Sequence, residues 1–154
     1  MPRLTRCRER RFNAYRMTDQ PKLEDFQFST YDKLRYGDTD RQGHVNNAVF
    51  ATFLETGRVD LIEGRPWRDG TASFVIARLE MDYVAEVQWP GTVEIGTSVL
   101  KIGRSSFTLS QAVFQSGRLV ATAQTVMVYV DNTTHRSTPL PEAARAELLP
   151  TTSK

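Results

Sequence analysis

One segment with helical periodicity, set between segments with strand periodicity, constrains the fold of this chain more than any other feature of its sequence. The small and apolar residues of this segment follow one another at spacings of three, one, three and four: Phe50, Phe53, Leu54, Gly57 and Leu61. Such spacing places all of them on one stripe of a helix. We therefore predict a helix over residues 46–63, capped by Asn46 or Asn47 and ended by Gly64.

The segments on both sides of this helix alternate with a period of two, which predicts strands with one covered face. One strand precedes the helix, at residues 26–36. A loop over residues 63–73 follows the helix, and four strands are then predicted at residues 77–83, 92–102, 105–115 and 119–130. Ser116-Gly117 is typical of a two-residue hairpin turn, and Pro141 precedes a short helix at residues 142–149.

This order of elements predicts an α+β fold, in which one antiparallel sheet of about five strands wraps around the long helix. A single sheet curved around the helix buries the broad apolar stripe of the helix and one face of every strand. The short helix then closes the C-terminal end of the chain.

Composition excludes several classes of protein. No apolar run approaches the about 20 residues that a membrane-spanning helix requires. Cys7 is the only cysteine and has no internal disulfide partner, and with His44 and His135 as the only histidines a Cys/His zinc site is not expected. We predict a cytoplasmic globular domain of ordinary size among the 154 residues, with no metal.

Positive charge is concentrated at the N-terminus. Residues 1–16 hold six arginines against the single acidic residue Glu9, a local charge of +5, whereas the whole chain carries +2 and the remainder therefore −3. A nucleic-acid-binding arm, a targeting leader, or an upstream segment preceding a true start at Met17 would each explain this pattern. We favour the last, or simple disorder of this segment, and predict a basic, disordered extension over residues 1–22, a folded domain over residues 23–154, and no nucleic-acid partner.

The densest group of polar residues lies between the first strand and the long helix, in the segment Tyr36-Gly-Asp-Thr-Asp-Arg-Gln-Gly-His-Val-Asn-Asn47. A calcium loop is excluded because Val49 stands where a bidentate glutamate is required. A phosphate-binding loop is excluded because the glycine and lysine pattern is absent and two carboxylates would repel phosphate. A simple turn, with Asp38 as a turn-forming residue, remains a possible reading of the segment.

The longer string DTDRQGHVNNAVFATFLETGR resembles the signature of hotdog-fold acyl-CoA thioesterases, the family of 4-hydroxybenzoyl-CoA thioesterase. The turn Gly103-Arg-Ser-Ser-Phe107 and the closing Pro-Leu-Pro-Glu helix are similar to later parts of the same family. The resemblance covers residues 26–149. It implies the hotdog fold, in which a sheet wraps around one long helix, and hydrolysis of an acyl-CoA without a further cofactor.

The resemblance also implies roles for individual residues. Asp40 matches the catalytic carboxylate, and Asn47 matches the position whose backbone N–H faces the thioester oxygen. His44 would orient the loop or the substrate, although a structural histidine explains it equally well. Glu55 matches a helix glutamate that one branch of the family uses as its carboxylate; we favour instead an ion pair between Glu55 and Arg58 within the helix.

Further residues are implied to bind the substrate. Gly43 and Asn46 belong to the loop that surrounds the thioester, and Phe50 would line the acyl pocket as well as the core. Arg104, Ser105 and Ser106 would contact the phosphates of CoA. Active sites of such proteins lie between two subunits, so the resemblance implies a homodimer or homotetramer.

Elementary chemistry supports this interpretation of the loop. A thiolate whose parent thiol has a pKa of about 8.5 leaves without a strong acid, so one carboxylate suffices as nucleophile or general base. The N-terminus of the following helix presents unpaired N–H groups where an oxyanion would develop.

Other functions remain open at this stage. A hotdog protein that binds acyl thioesters without hydrolysing them, or a thioesterase acting on acyl carrier protein, would carry a similar sequence. A hotdog dehydratase is disfavoured because its longer Asp and His motif is absent. A nucleic-acid binder would have to act through the arginine-rich arm alone.

Overall fold

A computed structural model of the chain describes residues 20–149, which form one antiparallel sheet and two α-helices. The strands are β1 (Phe28–Lys33), β2 (Ala72–Tyr83), β3 (Thr92–Ile102), β4 (Ser106–Gln115) and β5 (Arg118–Asp131). The helices are α1 (Val49–Ile62) and α2 (Glu142–Glu147). Short 3₁₀ turns occupy Leu23–Asp25 and Tyr36–Asp38.

The five strands are ordered β1-β3-β4-β5-β2, and every neighbouring pair is antiparallel. Hairpins connect β3 to β4 and β4 to β5, and the Ser116-Gly117 turn adopts positive φ angles at both residues, as a two-residue hairpin requires. β1 and β2 are the two edge strands. The predicted α+β order of strand, long helix, four strands and short helix is therefore confirmed.

The long helix lies on the inner face of the sheet, and the whole apolar stripe that predicted it is buried: Phe50, Phe53, Leu54, Gly57 and Leu61. Gly57 brings α1 close to the sheet, because a Cβ atom there would lie 2.8 Å from Ile95 Cγ2 and 2.9 Å from Thr97 Oγ1. Each fully buried Phe or Leu side chain contributes about 1.5–3 kcal/mol to folding, so this stripe is a major source of stability.

A polar cluster crosses the interface between helix and sheet. The Gln111 side chain donates to the backbone carbonyl of Leu54 at 3.0 Å and to Thr97 Oγ1 at 3.2 Å. Its carbonyl oxygen accepts from Thr125 Oγ1 at 3.2 Å and from Arg58 Nη1 at 3.4 Å. Buried polar groups require such partners, and this cluster links the middle of α1 to three strands.

Several predicted boundaries differ from the structure. Helix α1 begins at Val49 instead of Asn46, because residues 46–49 form a separate turn before it. Strand β2 begins at Ala72, so the predicted 63–73 loop is shorter at its C-terminal end. Strand β1 begins at Phe28, since Phe26 turns its ring onto Gly96 and stacks edge-on against Phe114 at 6.2 Å.

The arginine-rich segment lies outside the described residues, as does most of the predicted extension over residues 1–22. No helix within residues 20–149 is long and apolar enough to cross a membrane.

Candidate active site

The polar segment before α1 forms a tight, closed loop. Its two arms pair through an isolated bridge between Thr39 and Val45. The backbone N–H of Asp40 donates to the His44 carbonyl at 2.8 Å, and the Gly43 N–H donates to the Asp40 carbonyl at 3.1 Å. Gly43 has a φ of +86°, a conformation that favours glycine. The glycine of the motif therefore allows the chain to reverse beside Asp40.

The loop holds one oxygen of the Asp40 carboxylate and leaves the other unbonded. Oδ1 accepts the backbone N–H of Gln42 at 2.8 Å and that of His44 at 3.3 Å. Oδ2 accepts no hydrogen bond from any residue between 20 and 149. The side chain is exposed within one chain. The backbone of the loop thus orients the carboxylate while one oxygen stays available.

Asn46 caps the turn that leads into α1. Its side-chain oxygen accepts the Ala48 N–H at 3.0 Å, and its carbonyl accepts the Val49 N–H at 2.9 Å. The Asn47 N–H donates to no acceptor in the described part of the chain. The Asn47 carbonyl, in contrast, accepts the Tyr83 hydroxyl at 3.0 Å. A free N–H group at the N-terminal end of a helix is a potential donor to an anion.

The loop, the start of α1 and the end of β2 enclose a cleft of about 340 Å³. Residues from all three elements line it: Asp40, His44, Asn47, Phe50, Tyr83 and Glu86. The rings of Phe50 and Tyr83 pack edge to face with centroids 5.2 Å apart. The structure therefore brings together four of the predicted site residues, with an aromatic wall beside the carboxylate. These four are Asp40, His44, Asn47 and Phe50.

Two residues of this cleft were missed by the sequence analysis. Tyr83 was predicted only as part of a strand, and Glu86 was not singled out. His44 Nε2 lies 3.2 Å from Glu86 Oε2, and the His44 backbone forms an isolated bridge with Gln88. Since these residues are about 40 positions from the loop in sequence, only the fold brings them to it.

Glu55 lies elsewhere within one chain. It is exposed and lines a second cleft, of about 310 Å³, between α1 and the beginning of β2. The favoured ion pair between Glu55 and Arg58 is wrong, because no such contact within 4.0 Å occurs in the described chain and Arg58 is buried against Gln111 instead. Burial lowers the pKa of Arg58, and the nearby Glu55 carboxylate partly offsets that effect. A catalytic role for Glu55 stays a prediction.

The turn of Arg104, Ser105 and Ser106 lies at the opposite end of the sheet from the Asp40 loop of the same chain. Ser106 is paired with Val128, and Val128 with Val75, eight residues along β2 from Tyr83. At about 3.4 Å per residue this is a strand distance of about 27 Å. Within one chain these three residues are not part of the cleft, and their contact with CoA stays a prediction.

The described residues contain no group of three or more His, Cys, Asp and Glu side chains that is arranged to hold a metal ion. The cleft instead combines one oriented carboxylate, one free backbone donor and an aromatic wall. Such a set can polarise a carbonyl and direct a nucleophile toward it.

Comparison with known proteins agrees with this architecture. A sequence model of the thioesterase-like superfamily matches residues 34–148. The 1,4-dihydroxy-2-naphthoyl-CoA hydrolase of Synechococcus elongatus is 28% identical in an alignment 131 residues long, which covers 78% of this chain and 92% of that relative.

Solved structures are similar over nearly their whole length. A crystal structure of a Pseudomonas aeruginosa protein matches with a TM-score of 0.78 and 26% identity, covering 87% of this chain and 99% of the other. A Thermus thermophilus thioesterase, crystallised with coenzyme A and Zn, matches with a TM-score of 0.71 and 33% identity over 81% of this chain and 93% of the other. With the family match spanning both α-helices from their first residue and four of the five strands, the chain belongs to the thioesterase-like superfamily of hotdog-fold enzymes.

Proposed function

We propose that this protein hydrolyses acyl-CoA thioesters with the Asp40 carboxylate as its nucleophile or general base. The observation that carries the proposal is that Asp40 lines the cleft that contains Asn47, with one carboxylate oxygen held by two backbone N–H groups and the other accepting no hydrogen bond from residues 20–149. A carboxylate that is oriented through one oxygen, and whose other oxygen is free to react, is suited to acyl transfer to water.

The proposed reaction begins with the thioester carbonyl carbon between Asp40 and the start of α1. Asp40 Oδ2 either attacks this carbon, forming an anhydride that water then hydrolyses, or removes a proton from a water that attacks it. The carbonyl oxygen becomes an oxyanion, which the free Asn47 N–H and the helix N-terminus stabilise. The C–S bond breaks, the thiolate of CoA leaves, and the acid and a proton are released.

His44 and Glu86 hold the loop in this arrangement. The backbone N–H of His44 donates to Asp40 Oδ1, and the His44 ring contacts Glu86, which also lines the cleft. His44 thus contacts both the Asp40 carboxylate and Glu86 in the connection between β2 and β3. It therefore fixes the carboxylate relative to that connection. We propose a positioning role for His44, with Gly43 and Asn46 shaping the backbone on either side of it.

Phe50 and Tyr83 are the proposed wall of the acyl pocket. Phe50 is 2% exposed and Tyr83 51% exposed, so the pair extends from the core to the surface. Aromatic faces bind flat or apolar acyl groups through burial of apolar area.

Coenzyme A is the proposed carrier of the acyl group. The Synechococcus elongatus relative is a hydrolase of a naphthoyl-CoA, and the Thermus thermophilus thioesterase was crystallised with coenzyme A. An acyl carrier protein as carrier, and binding of thioesters without hydrolysis, are the competing functions that the experiment below separates.

We further propose that two copies pair through β2. This strand is an edge of the sheet, and it exposes four large apolar or aromatic side chains, Val75, Ile76, Leu79 and Tyr83. An exposed edge strand of 12 residues offers unpaired backbone groups to another strand. A second copy of β2 would form hydrogen bonds with the unpaired backbone groups of this strand and would bury its exposed apolar side chains.

Two-fold pairing of β2 would run the two strands antiparallel. The Tyr83 end of one β2 then lies near the Ala72 end of the other. The turn containing Arg104 is at the Ala72 end of the sheet, so the turn of one subunit approaches the Asp40 cleft of its partner. In this arrangement Arg104, Ser105 and Ser106 reach the phosphates of CoA bound at the other subunit.

The test is the hydrolysis of a panel of short, long, branched and aromatic acyl-CoAs, with detection of the free thiol. Asp40→Asn should lower kcat by about two to four orders of magnitude, because it removes the general base or nucleophile. Asp38→Asn is the matched control. Within residues 20–149, the Asp38 side chain accepts only the Arg35 N–H, at 2.8 Å, which an amide oxygen also accepts. Its backbone carbonyl accepts the Asn46 N–H, and the substitution leaves that bond in place.

Turnover of Asp40→Asn at the wild-type rate would refute the assignment of the carboxylate. Tight binding of acyl-CoA without release of thiol would favour the binding protein. If the protein hydrolyses acyl groups only when they are attached to acyl carrier protein, the carrier is that protein and not CoA.

A further inference from the structure

The turn between β3 and β4 has two adjacent backbone N–H groups, those of Arg104 and Ser105, that donate to no acceptor within residues 20–149. The carbonyls of the same turn are all engaged. The Ser106 carbonyl accepts the Gly103 N–H at 2.7 Å, and the Ser105 carbonyl accepts the Tyr129 N–H at 2.8 Å. Successive free N–H groups in a turn form a concavity that binds anions.

Arg145 of α2 sets the direction of these two N–H groups. Its Nη2 atom donates to the Gly103 carbonyl at 2.8 Å and to the Arg104 carbonyl at 2.7 Å. In a planar trans peptide the N–H points opposite to the C=O. The N–H groups that share these two peptides are those of Arg104 and Ser105, so both are directed away from Arg145.

Arg145 has a different weight at each of the two carbonyls. The Arg104 carbonyl also accepts the Leu140 N–H at 2.9 Å. The Gly103 carbonyl accepts from Arg145 alone among the described residues. Loss of Arg145 therefore releases the peptide between Gly103 and Arg104, while the other bonds of the turn remain.

Two positive charges lie at this turn without a carboxylate partner. Arg104 is exposed, and neither Arg104 nor Arg145 has an ion-pair contact within 4.0 Å in the described chain. Glu147, two positions further along α2, instead accepts from Trp67 Nε1 at 2.9 Å and lies 3.6 Å from Arg65. Guanidinium groups beside free N–H groups suit an anion with several oxygens, such as a phosphate.

We propose that Arg145 is a positioning residue for the coenzyme A part of the substrate. By bonding the two carbonyls, it holds the N–H groups of Arg104 and Ser105 toward a phosphate group of the acyl-CoA, which the Arg104 guanidinium also contacts. This inference rests on the proposed function, in which the turn of one subunit meets the CoA bound at the other. Through this turn, α2 contributes to recognition of the carrier and not of the acyl group.

The first experiment compares one acyl group on three carriers: CoA, dephospho-CoA, which retains only the diphosphate, and pantetheine, which has no phosphate. Arg145→Met should raise KM for the acyl-CoA by about tenfold with kcat unchanged, because a charged hydrogen bond to the turn is lost and only binding is weakened. Hydrolysis of the acyl-pantetheine should keep its wild-type kcat/KM. The change in KM for the dephospho-CoA thioester then shows which phosphate the turn binds.

Arg118→Met is the matched control, because it removes an exposed arginine at the start of β5. It should leave KM for the acyl-CoA unchanged. An equal loss of kcat/KM with all three carriers in Arg145→Met would reduce Arg145 to a structural residue and overturn the inference. An unchanged KM for the acyl-CoA in that variant would overturn it as well.

Arg145→Lys protects the test against a folding defect in Arg145→Met. The lysine keeps a cation with three donors, so it can still bond the carbonyls of the turn. We expect KM for the acyl-CoA to stay within about threefold of wild type. A lysine variant that folds but shows a tenfold higher KM for acyl-CoA and for acyl-pantetheine alike would contradict a role in phosphate binding.

The second experiment measures amide hydrogen exchange in the wild-type protein, with CoA itself as the probe. Exchange at a bound N–H proceeds only from the unoccupied fraction of sites. CoA at about nine times its Kd should therefore slow exchange of the Arg104 and Ser105 amides about tenfold, and pantetheine should not.

Unchanged exchange of both amides at a saturating concentration of CoA would overturn the inference and leave hydrolysis at Asp40 intact. Failure of the wild-type protein to hydrolyse any thioester would instead refute the proposed function. The exchange measurement does not depend on turnover, so the two failures are distinguishable.

Discussion

The Tyr83 hydroxyl donates a hydrogen bond of 3.0 Å to the backbone carbonyl of Asn47, and so ties the end of β2 to the turn that begins α1. Tyr83 and Asn47 are far apart in sequence. The bond joins the strand that forms the proposed dimer edge to the peptide chain that carries the proposed oxyanion donor.

Tyr83→Phe keeps the ring that packs on Phe50 and removes only the bond to Asn47. We expect kcat to fall by about three- to tenfold with little change in KM, because the oxyanion donor loses its support while the apolar wall remains. Steady-state kinetics on the preferred acyl-CoA measure both constants. Tyr31→Phe, at an exposed tyrosine of β1, is the control. An equal loss of kcat in that variant would show that the effect does not arise from the hydrogen bond between Tyr83 and Asn47.

Gly57→Ala should destabilise the protein by about 1–3 kcal/mol, since the added Cβ would overlap Ile95 and Thr97 and push α1 from the sheet. Urea denaturation gives the free energy of unfolding. Gly37→Ala is the matched control, because a Cβ at Gly37 meets no atom within 4 Å. Equal stability of the Gly57 variant and wild type would mean that the helix does not sit as close to the sheet as described.

Leu79→Glu should convert the proposed dimer into a monomer and abolish most of the activity. Leu79 is 36% exposed near the middle of β2, and pairing of two strands would bury a carboxylate without a partner. Light scattering after size exclusion measures the mass. Leu100→Glu, at a residue 48% exposed on β3, should leave the mass unchanged. A Leu79→Glu protein with wild-type mass would exclude β2 as the interface.

Asp131 predicts a dependence of stability on pH. Its Oδ1 accepts the Thr134 N–H at 2.6 Å and the Thr133 N–H at 2.9 Å, and these bonds, with that from Thr134 foremost, lower the pKa of this carboxyl. Because the folded pKa lies below that of the unfolded chain, the stabilisation is present above the unfolded value and is lost as pH falls through the folded one.

Asp131→Asn should therefore shift the urea midpoint downward at pH 7. It should have less effect at about pH 3, which is below the pKa of about 3.9 of an aspartate in an unfolded chain, because part of the stabilisation is already lost there. The measurement is urea denaturation of both proteins at the two pH values. A shift of the same size at both would show that the charge of Asp131 contributes nothing.

Short-range patterns in the sequence were sufficient to predict the helices and strands of the fold. The stripe from Phe50 to Leu61 predicted α1, and the alternation of apolar residues predicted the strands, because a helix or strand must bury one face whatever it packs against. The loop with Asp40 and Gly43 could also be predicted from short-range features. Its turn is formed by neighbouring residues, and the hydrogen bonds made by Asp40 span at most four positions.

The partners of that loop were decided by the tertiary structure. Tyr83 and Glu86 reach the cleft because β2 crosses to the far side of β5 and then turns back toward the start of α1, which no short-range pattern encodes. Packing between distant segments also explains why the prediction for Arg58 was wrong. Its spacing from Glu55 favoured an ion pair on an exposed face, whereas packing of α1 on Gln111 buried the guanidinium.

The sequence by itself therefore determined the order of elements, the apolar face of α1 and the shape of the Asp40 loop, all of which depend on residues close together in the chain. The tertiary structure alone decided which side chains face that loop, which strand is an exposed edge, and that the Arg104 turn lies at the other end of the sheet. These features depend on contacts between distant segments, whose free energies are set by the packing of the whole sheet around the helix.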